Sequence, residues 1–304
     1  MNEKIKFKFD FKAYQRRFKY PLRTNYGIWR VREGIIISLT DRSGVVSQGE
    51  IAPLPWFGSE TLAQAIEFCQ NLGTTIGEQN ITTIADSLPC CQFAFESAWL
   101  NHSITQSKSL NLCYLLPPGK QALTTWKNIY QSQTVNTLKW KIGVFPIAQE
   151  IEILRQLNDI LPRKVKLRLD ANGGLNLDEA QQLLSLTDTL SRIEFIEQPL
   201  SADNLSEIFS LSQEHITTLA LDESIASFES LQSVYQQGWQ GVYVIKAAIM
   251  GFPSRLTRFC QDNSLDIVFS SVFETKVGRS AVLNLAQKLA HPRAVGFGVD
   301  YFMK

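Results

Sequence analysis

From about residue 110 onward, short β-rich runs alternate with longer amphipathic stretches. The most informative run is Leu138-Lys139-Trp140-Lys141-Ile142. Alternation along a strand sends Lys139 and Lys141 to one face and Leu138, Trp140 and Ile142 to the other. Apolar runs at 165–170, 193–197 and 218–222 end in Asp170, Glu197 and Asp222, and the run 242–246 ends in Lys246. From Lys141 on, the successive charged ends lie 24 to 29 residues apart, about one strand–helix unit in a parallel barrel of roughly 250 residues. Further strands are predicted at 110–116, 265–271 and 294–299. Helices are predicted at 121–132, 146–161, 177–188, 202–214, 227–237, 252–263 and 276–290. Eight strands in one alternating series favour an α/β fold built on a (β/α)8-type barrel, a modified TIM barrel, over an open doubly wound sheet. If the barrel closes, Lys, Asp, Glu, Asp and Lys share one rim.

Residues 4–50 have a different rhythm. Alternation from 5 to 20, a β-rich run at 34–40, the turn Asp41-Arg42-Ser43-Gly44 and a run at 45–51 predict an antiparallel meander. Two stretches, 21–29 and Ala52-Pro53-Leu54-Pro55-Trp56-Phe57-Gly58, are read either as loop punctuation or as a lid, since exposed apolar loops tend to serve binding. Ser59-Glu60-Thr61-Leu62 opens a predicted helix to about Leu72, and another spans about 90–101 with Phe93, Phe95, Ala98 and Trp99 on its apolar stripe. The expected division is an N-terminal α+β capping domain over residues 1–105 and a catalytic barrel over 106–304.

Composition narrows the function class. The chain has 304 residues, 44% hydrophobic and 19% charged, with a net charge of +1, which describes a soluble globular protein with no nucleic-acid or anionic-membrane surface. No apolar run reaches the roughly 20 residues that span a bilayer. The basic start (Lys4, Lys6, Lys8, Lys12) alternates with Phe and Ile, as an exposed strand face does and a signal peptide does not. Five scattered cysteines without a CxxC read as reduced thiols in a cytoplasmic protein. The three histidines, His102, His215 and His291, match no zinc spacing.

The rim residues carry the chemistry. A single Asp or Glu at a strand end reads first as a helix cap. Three converging acids repel by a few kcal/mol per pair, about 4 kcal/mol at 4 Å and an effective dielectric near 20, so such a cluster usually holds a cation. With only oxygen ligands at hand the expected ion is hard: Mg²⁺, with Mn²⁺ able to substitute. Glu223, beside Asp222, is a rival third ligand. It would face the other way if the strand persists to it, and is read instead as orienting a ligand from behind. Lys139 and Lys141 on one face should depress each other's pKa, and a depressed lysine serves as a base near neutrality. Removing a proton α to a carboxylate builds a second negative charge, which a dication offsets. A Schiff-base role for Lys246 is the rival reading, but it has no use for three acids. Asn172 either offers its amide to a substrate or forms the turn before Gly173-Gly174. Ser271 and Glu274 fit a capping box, while Ser270, Ser271 and the following helix N-terminus could equally hold a substrate carboxylate.

These residues resemble those of the enolase superfamily, in its muconate-lactonising subgroup, over almost the whole chain. Lys139-Trp140-Lys141 is similar to its KxK motif, Asp170, Glu197 and Asp222 to its metal ligands, and Lys246 to the lysine of its sixth strand. A lysine base beside Mg²⁺ is the equipment of that superfamily. The loops Pro21-Leu22-Arg23-Thr24 and Ile51-Ala52-Pro53-Leu54-Pro55, together with Ser270-Ser271-Val272-Phe273-Glu274, look most like the branch that dehydrates a succinylated cyclohexadiene carboxylate. The resemblance implies a hydro-lyase acting on a small-molecule carboxylate. Lys141 would remove the α-proton and then assist departure of the hydroxyl. Lys246 would stabilise the enediolate from the opposite side, and Lys139 would tune Lys141 and contact the carboxylate. Loops 21–29 and 53–58 would close over the succinyl arm. Racemisation or dipeptide epimerisation on the same residues is the alternative.

Overall fold

The computed structural model describes residues 6–24, 27–100, 110–132, 135–289 and 292–299. The expected domain boundary at 105/106, His102, His291 and the predicted helix ends at 101 and 290 lie outside them. Four strands form an antiparallel sheet: β1 (Lys6–Thr24), β2 (Gly27–Thr40), β3 (Val46–Ile51) and β4 (Thr75–Gly77), in the order β3-β2-β1-β4. β4 and the short helix α2 (Glu78–Thr82) were not expected, and three to five residues are too few to show a period. The stretch 21–29, expected as a loop, is strand on both sides of a hairpin tip. Leu22 pairs with Trp29 and Thr24 with Gly27, after a register slip between Arg17 and Leu22 that accommodates Pro21.

Helix α1 (Leu62–Asn71) starts later than Ser59, with a capping box between Thr61 and Gln64. Glu60, buried just before it, instead accepts the N–H groups of Cys90 (3.1 Å) and Cys91 (2.8 Å) at the start of α3 (Pro89–Leu100). Helix α3 lies so close under β3 that a Cβ on Gly49 would fall 2.0 Å from the Ala94 carbonyl oxygen, which is why that position needs glycine. On its other side, Glu96 accepts the N–H and the hydroxyl of Ser254, both at 2.7 Å, and so fastens α3 to the barrel.

The barrel strands are β5 (Leu112–Leu116), β6 (Thr137–Lys141), β7 (Lys166–Asp170), β8 (Ile193–Glu197), β9 (Leu219–Leu221), β10 (Val242–Ile245), β11 (Ile267–Phe269) and β12 (Val295–Gly298). They run in the order β11-β10-β9-β8-β7-β6-β5-β12, and a parallel bridge between Ser270 and Gly296 joins the two ends. Helices α4 (Ala122–Ser132), α5 (Ile147–Ile160), α6 (Leu177–Thr187), α7 (Leu205–Glu214), α8 (Phe228–Gln236), α9 (Pro253–Asp262) and α10 (Lys276–Leu289) surround it, within a few residues of expectation. One parity of each strand faces outward to the helices, as Leu138, Trp140, Leu167, Leu169 and Ile196 do. The other parity fills the barrel, where Phe195, Ala220, Val242, Val244 and Val268 form a separate cluster.

Below that cluster the fill is ionic. A register slip in the β7–β8 pair skips Glu194, whose carboxylate meets Arg168 Nε at 2.8 Å and Arg293 Nη1 at 2.8 Å, and Arg293 also clasps Asp266 at 2.7 Å. The Arg168 guanidinium lies 4.7 Å from the Phe195 ring. All five cysteines are buried and unpaired, and burial pushes Cys69 and Cys260 up to about 12. No described helix is long and apolar enough to cross a membrane.

Removing the Glu60 carboxylate should leave two buried α3 amides unmatched. Glu60→Ala should lower stability by about 2 kcal/mol, seen as a lower urea midpoint with an unchanged m-value. An unchanged midpoint would mean that water reaches those amides.

Candidate active site

Strand register assembles the rim. Lys141 pairs with Asp170 and Asp170 with Glu197, and Glu197 pairs with Ala220, two residues before Asp222. Leu221 pairs with Tyr243, so Asp222, Val244 and Lys246 share a parity. Register partners in parallel strands face the same side, so all five charged ends point into the barrel mouth. β6 and β10 stand four strands apart in a ring of eight, which sets Lys141 and Lys246 on opposite walls.

The lysines are interleaved with the acids. Lys139 Nζ lies 2.8 Å from Asp170 Oδ2 and 2.9 Å from Glu197 Oε1, while Lys246 Nζ pairs with Asp222 Oδ1. In this arrangement no three acidic, histidine or cysteine side chains among the described residues form a ready cage for an ion. The expectation that Lys139 is depressed is corrected. Burial alone would lower its ammonium, but Asp170 and Glu197 outweigh burial and hold it well above its ordinary value. Burial and the neighbouring Asp170 push Glu197 up to about 7 despite Lys139. Burial pushes Asp222 up to about 6 against Lys246, with Glu223 adding to the rise. Asp170 stays below the usual carboxylate range because Lys139, Lys141 and Lys246 outweigh its burial.

For Glu223, the condition that the strand persists to it is not met. Strand β9 stops at Leu221, and Glu223 opens a 3₁₀ turn (Glu223–Ile225) that swings its carboxylate back towards the site. Its Oε1 accepts from Asn172 Nδ2 at 3.1 Å, its Oε2 is buried without a hydrogen-bond partner, and burial together with Asp170 and Glu197 raises it against Lys246. Three buried carboxylates and the half-buried Glu223 therefore gather with three lysines, all the acidic donors are hard oxygens, and one Glu223 oxygen is buried and orphaned. This set fits a hard dication held by Asp170, Glu197 and Asp222. Asp170 and Asp222 are not the caps of the helices that follow them, since α6 and α8 are capped by Asn176 and Ser227.

Asn172 occupies a left-handed backbone position (φ 45°) with its N–H on Asp170 Oδ1 at 3.1 Å, so it shapes the turn and reaches Glu223 at once. Gln198, to which the sequence reading gave no role, is fully buried. Its side-chain carbonyl accepts the Asp222 and Ser224 N–H groups at 3.1 Å, and its amide donates to Ser224 Oγ at 2.8 Å. The signal was a lone amide at a strand end before Pro199.

The expected capping box of Ser271 and Glu274 is also corrected. Helix α10 begins only at Lys276. The Ser271 hydroxyl donates to Glu274 Oε2 (2.7 Å) and accepts from Phe273 N–H (2.9 Å), which closes a turn before the helix. Two of the first amides of α10 are already taken, Gly278 N–H by Glu50 (2.9 Å) and Val277 N–H by Thr275 Oγ1 (3.3 Å). Neither the Ser271 hydroxyl proton nor those two amides remain to hold a substrate carboxylate, and Ser270 is bridged to Gly296 just past β11.

Above the rim, the stretch 52–58 serves as a roof. Phe57 places its ring centroid 4.2 Å from Lys246 Nζ. Trp56 packs edge-on against Trp29 (5.0 Å), and Trp29 and Phe18 of the hairpin meet Phe273 of the barrel at 5.6 and 5.2 Å.

Comparison with known proteins agrees with this geometry. Residues 122–300 match the family model described as enolase C-terminal domain-like, and residues 18–102 match that of the MenC N-terminal domain. The chain is 38% identical to an o-succinylbenzoate synthase of Thermosynechococcus vestitus, covering 96% of this chain and 92% of that protein. A crystal structure of o-succinylbenzoate synthase from Thermosynechococcus elongatus, with Mg in its active site, matches with a TM-score of 0.93 at 37% identity, over 98% of this chain and 94% of that one. The L-Ala-D/L-Glu epimerase of Bacillus subtilis has the same fold, with a TM-score of 0.82 at 21% identity over 99% and 91% of the two chains.

Phe57→Ala should open the Lys246 side of the mouth to water. Turnover should fall about tenfold, while the melting temperature moves by less than about 3 °C. Unchanged turnover would reduce the ring to packing.

Proposed function

The chain belongs to the enolase superfamily and, within it, to the o-succinylbenzoate synthase family, and from this we propose that it dehydrates 2-succinyl-6-hydroxy-2,4-cyclohexadiene-1-carboxylate (SHCHC) to 2-succinylbenzoate in menaquinone or phylloquinone biosynthesis. The observation that carries the reading is the pair Lys141 and Lys246 on opposite walls of a mouth lined by Asp170, Glu197 and Asp222. Lys141 takes the proton α to the substrate carboxylate. The electron pair left behind expels the hydroxyl on the same face, and the protonated Lys141 delivers its proton to that leaving oxygen as water. Lys246 stays a cation on the far face, against the charge that builds on the carboxylate. Lys139 remains charged between Asp170 and Glu197 and keeps both carboxylates turned into the mouth. Asp170, Glu197 and Asp222 would hold a Mg²⁺ ion, with Mn²⁺ able to substitute, and when bound it supplies positive charge opposite the substrate carboxylate. Asn172 acts through Glu223, and Ser270 borders the substrate. The Phe57, Trp56, Trp29 and Phe273 roof encloses the succinyl arm and keeps water from the carbanion. The five unpaired thiols support a cytoplasmic location.

The facing lysines also suit a second reading, exchange of an α-proton on both faces of an N-succinylamino acid or a dipeptide. Dehydration needs one acid–base lysine and racemisation needs two.

A purified sample should consume SHCHC, followed by its ultraviolet absorbance, only with Mg²⁺ present. EDTA should abolish the reaction, and Lys141→Ala should slow it at least about 10³-fold. Lys246→Arg should retain measurable dehydration but lose proton exchange from one face of an N-succinylamino acid. Equal wild-type turnover of both substrates would overturn a single-function dehydratase.

A further inference from the structure

Glu50 lies at the end of β3 in the capping sheet and is only 1% exposed. Its carboxylate reaches across to the barrel. It accepts the N–H of Thr275 at 2.8 and 3.0 Å, the N–H of Gly278 at 2.9 Å and the hydroxyl of Thr275. From its own domain it accepts the Tyr14 hydroxyl at 2.5 Å. Burial, with the Glu50 charge adding, pushes the Tyr14 phenol well above its ordinary value, so it remains a donor. Each of these partners of Glu50 is a donor, and a carboxylate accepts at both oxygens. The fit is tight: a Cβ on Gly278 would come 3.0 Å from Glu50 Oε2 and 3.0 Å from Glu274 Cβ.

A carboxylate 225 positions upstream thus caps α10 from outside the barrel. The segment it fixes follows β11 and carries Ser270 at its start, where Ser270 N–H bonds the carbonyl of Ile245, the residue before Lys246. The same segment carries Phe273, held at φ 60° and packed against Phe18 and Trp29 of the capping hairpin. A β-region turn would relieve that backbone strain, so the conformation lasts only while its surroundings hold it.

We propose that Glu50 is a positioning residue that locks the segment 270–275 against the capping domain and thereby sets how tightly the substrate is held. The proposal rests on the dehydratase reading above for its substrate. Glu50 itself touches neither the reacting atoms nor the metal-binding acids in the contacts described. Its loss should therefore weaken substrate binding far more than the chemical step or the response to Mg²⁺.

Steady-state kinetics on Glu50→Gln and Glu50→Asp, paired with amide hydrogen exchange over residues 270–278, test this. Glu50→Gln turns an amide donor towards existing donors. It should raise KM for SHCHC about tenfold, change kcat less than about threefold and leave the Mg²⁺ concentration for half-activation unaltered. Glu50→Asp keeps an acceptor-only group and should recover most of the lost KM. Exchange at 270–278 should quicken about tenfold in Glu50→Gln and less in Glu50→Asp. Should Glu50→Gln fold poorly, Tyr14→Phe removes one donor from the clamp and should raise KM about twofold to threefold. Faster exchange with unchanged KM, or a fall in kcat without a rise in KM, would overturn the proposal. Wild-type protein inactive on SHCHC would instead sink the dehydratase reading, and the exchange response alone would then decide for or against Glu50 as the lock.

Discussion

Four carboxylates within one barrel mouth, three of them buried and the fourth half-buried, are the constraint on which the rest of the molecule depends. Asp170, Glu197, Asp222 and Glu223 repel one another, and burial raises Glu197 to about 7 and Asp222 to about 6. Two carboxylates 4 Å apart cost about 4 kcal/mol at an effective dielectric near 20. Such a cluster folds only if cations are built into the same mouth. Strand register provides them: Lys139 and Lys141 enter on β6, next to Asp170, and Lys246 enters beyond β10 against Asp222. A one-residue slip of β7 would turn Asp170 outward and strand Lys139. Folding and chemistry therefore impose the same demand on register.

The barrel does not complete this mouth alone. Its β11–α10 segment has a turn closed by Ser271 and Glu274, but the N-terminus of α10 is capped by a carboxylate from the other domain. Its roof is shared in the same way, with Phe273 from the barrel and Phe18, Trp29, Trp56 and Phe57 from the cap. Helix α3 carries the load between the two. It is held at its start by Glu60 and fastened near its end through Glu96 to Ser254. A barrel whose chemistry needs exclusion of water thus borrows its enclosure from an antiparallel sheet that carries none of the charged rim residues.

The periodic parts of this design were legible in the sequence. A period of two placed Lys139 and Lys141 on one face, and the regular spacing of charged strand ends predicted a closed parallel ring. What escaped has physical causes. Glu194 faces inward only because the β7–β8 register slips, and no periodicity encodes a slip. Pro21 argued for a loop, yet the hairpin continues past it because β1 and β2 shift register at that point. The facing of Glu223 turns on whether the strand persists to it, and β9 ends at Leu221, before Asp222. Local signals point to Ser271 and Glu274 for the cap of α10, while its partner is a long-range carboxylate that such signals do not show. The neighbouring Lys141 suggests a depressed Lys139, but burial is the main lowering influence and the Asp170 and Glu197 carboxylates that Lys139 touches outweigh it.

The two lysines are not equivalent, although they stand on opposite walls. Lys246 is held from two sides, by the Asp222 carboxylate and by the face of Phe57 4.2 Å away, and it is only 8% exposed. Lys141 is less buried and lies in register with Asp170, at the edge of the mouth towards Gly143 and the α5 side. An amine that must collect a proton from carbon and hand it to a departing oxygen needs room to move, whereas one that only faces developing charge gains from being fixed. A Lys246 fixed in this way suits a group that faces developing charge, while Lys141, less buried and in register with Asp170, suits one that handles the proton. Because an epimerase has the same fold at 21% identity, the barrel by itself does not choose between elimination and proton exchange, and the choice must lie in what surrounds the two lysines.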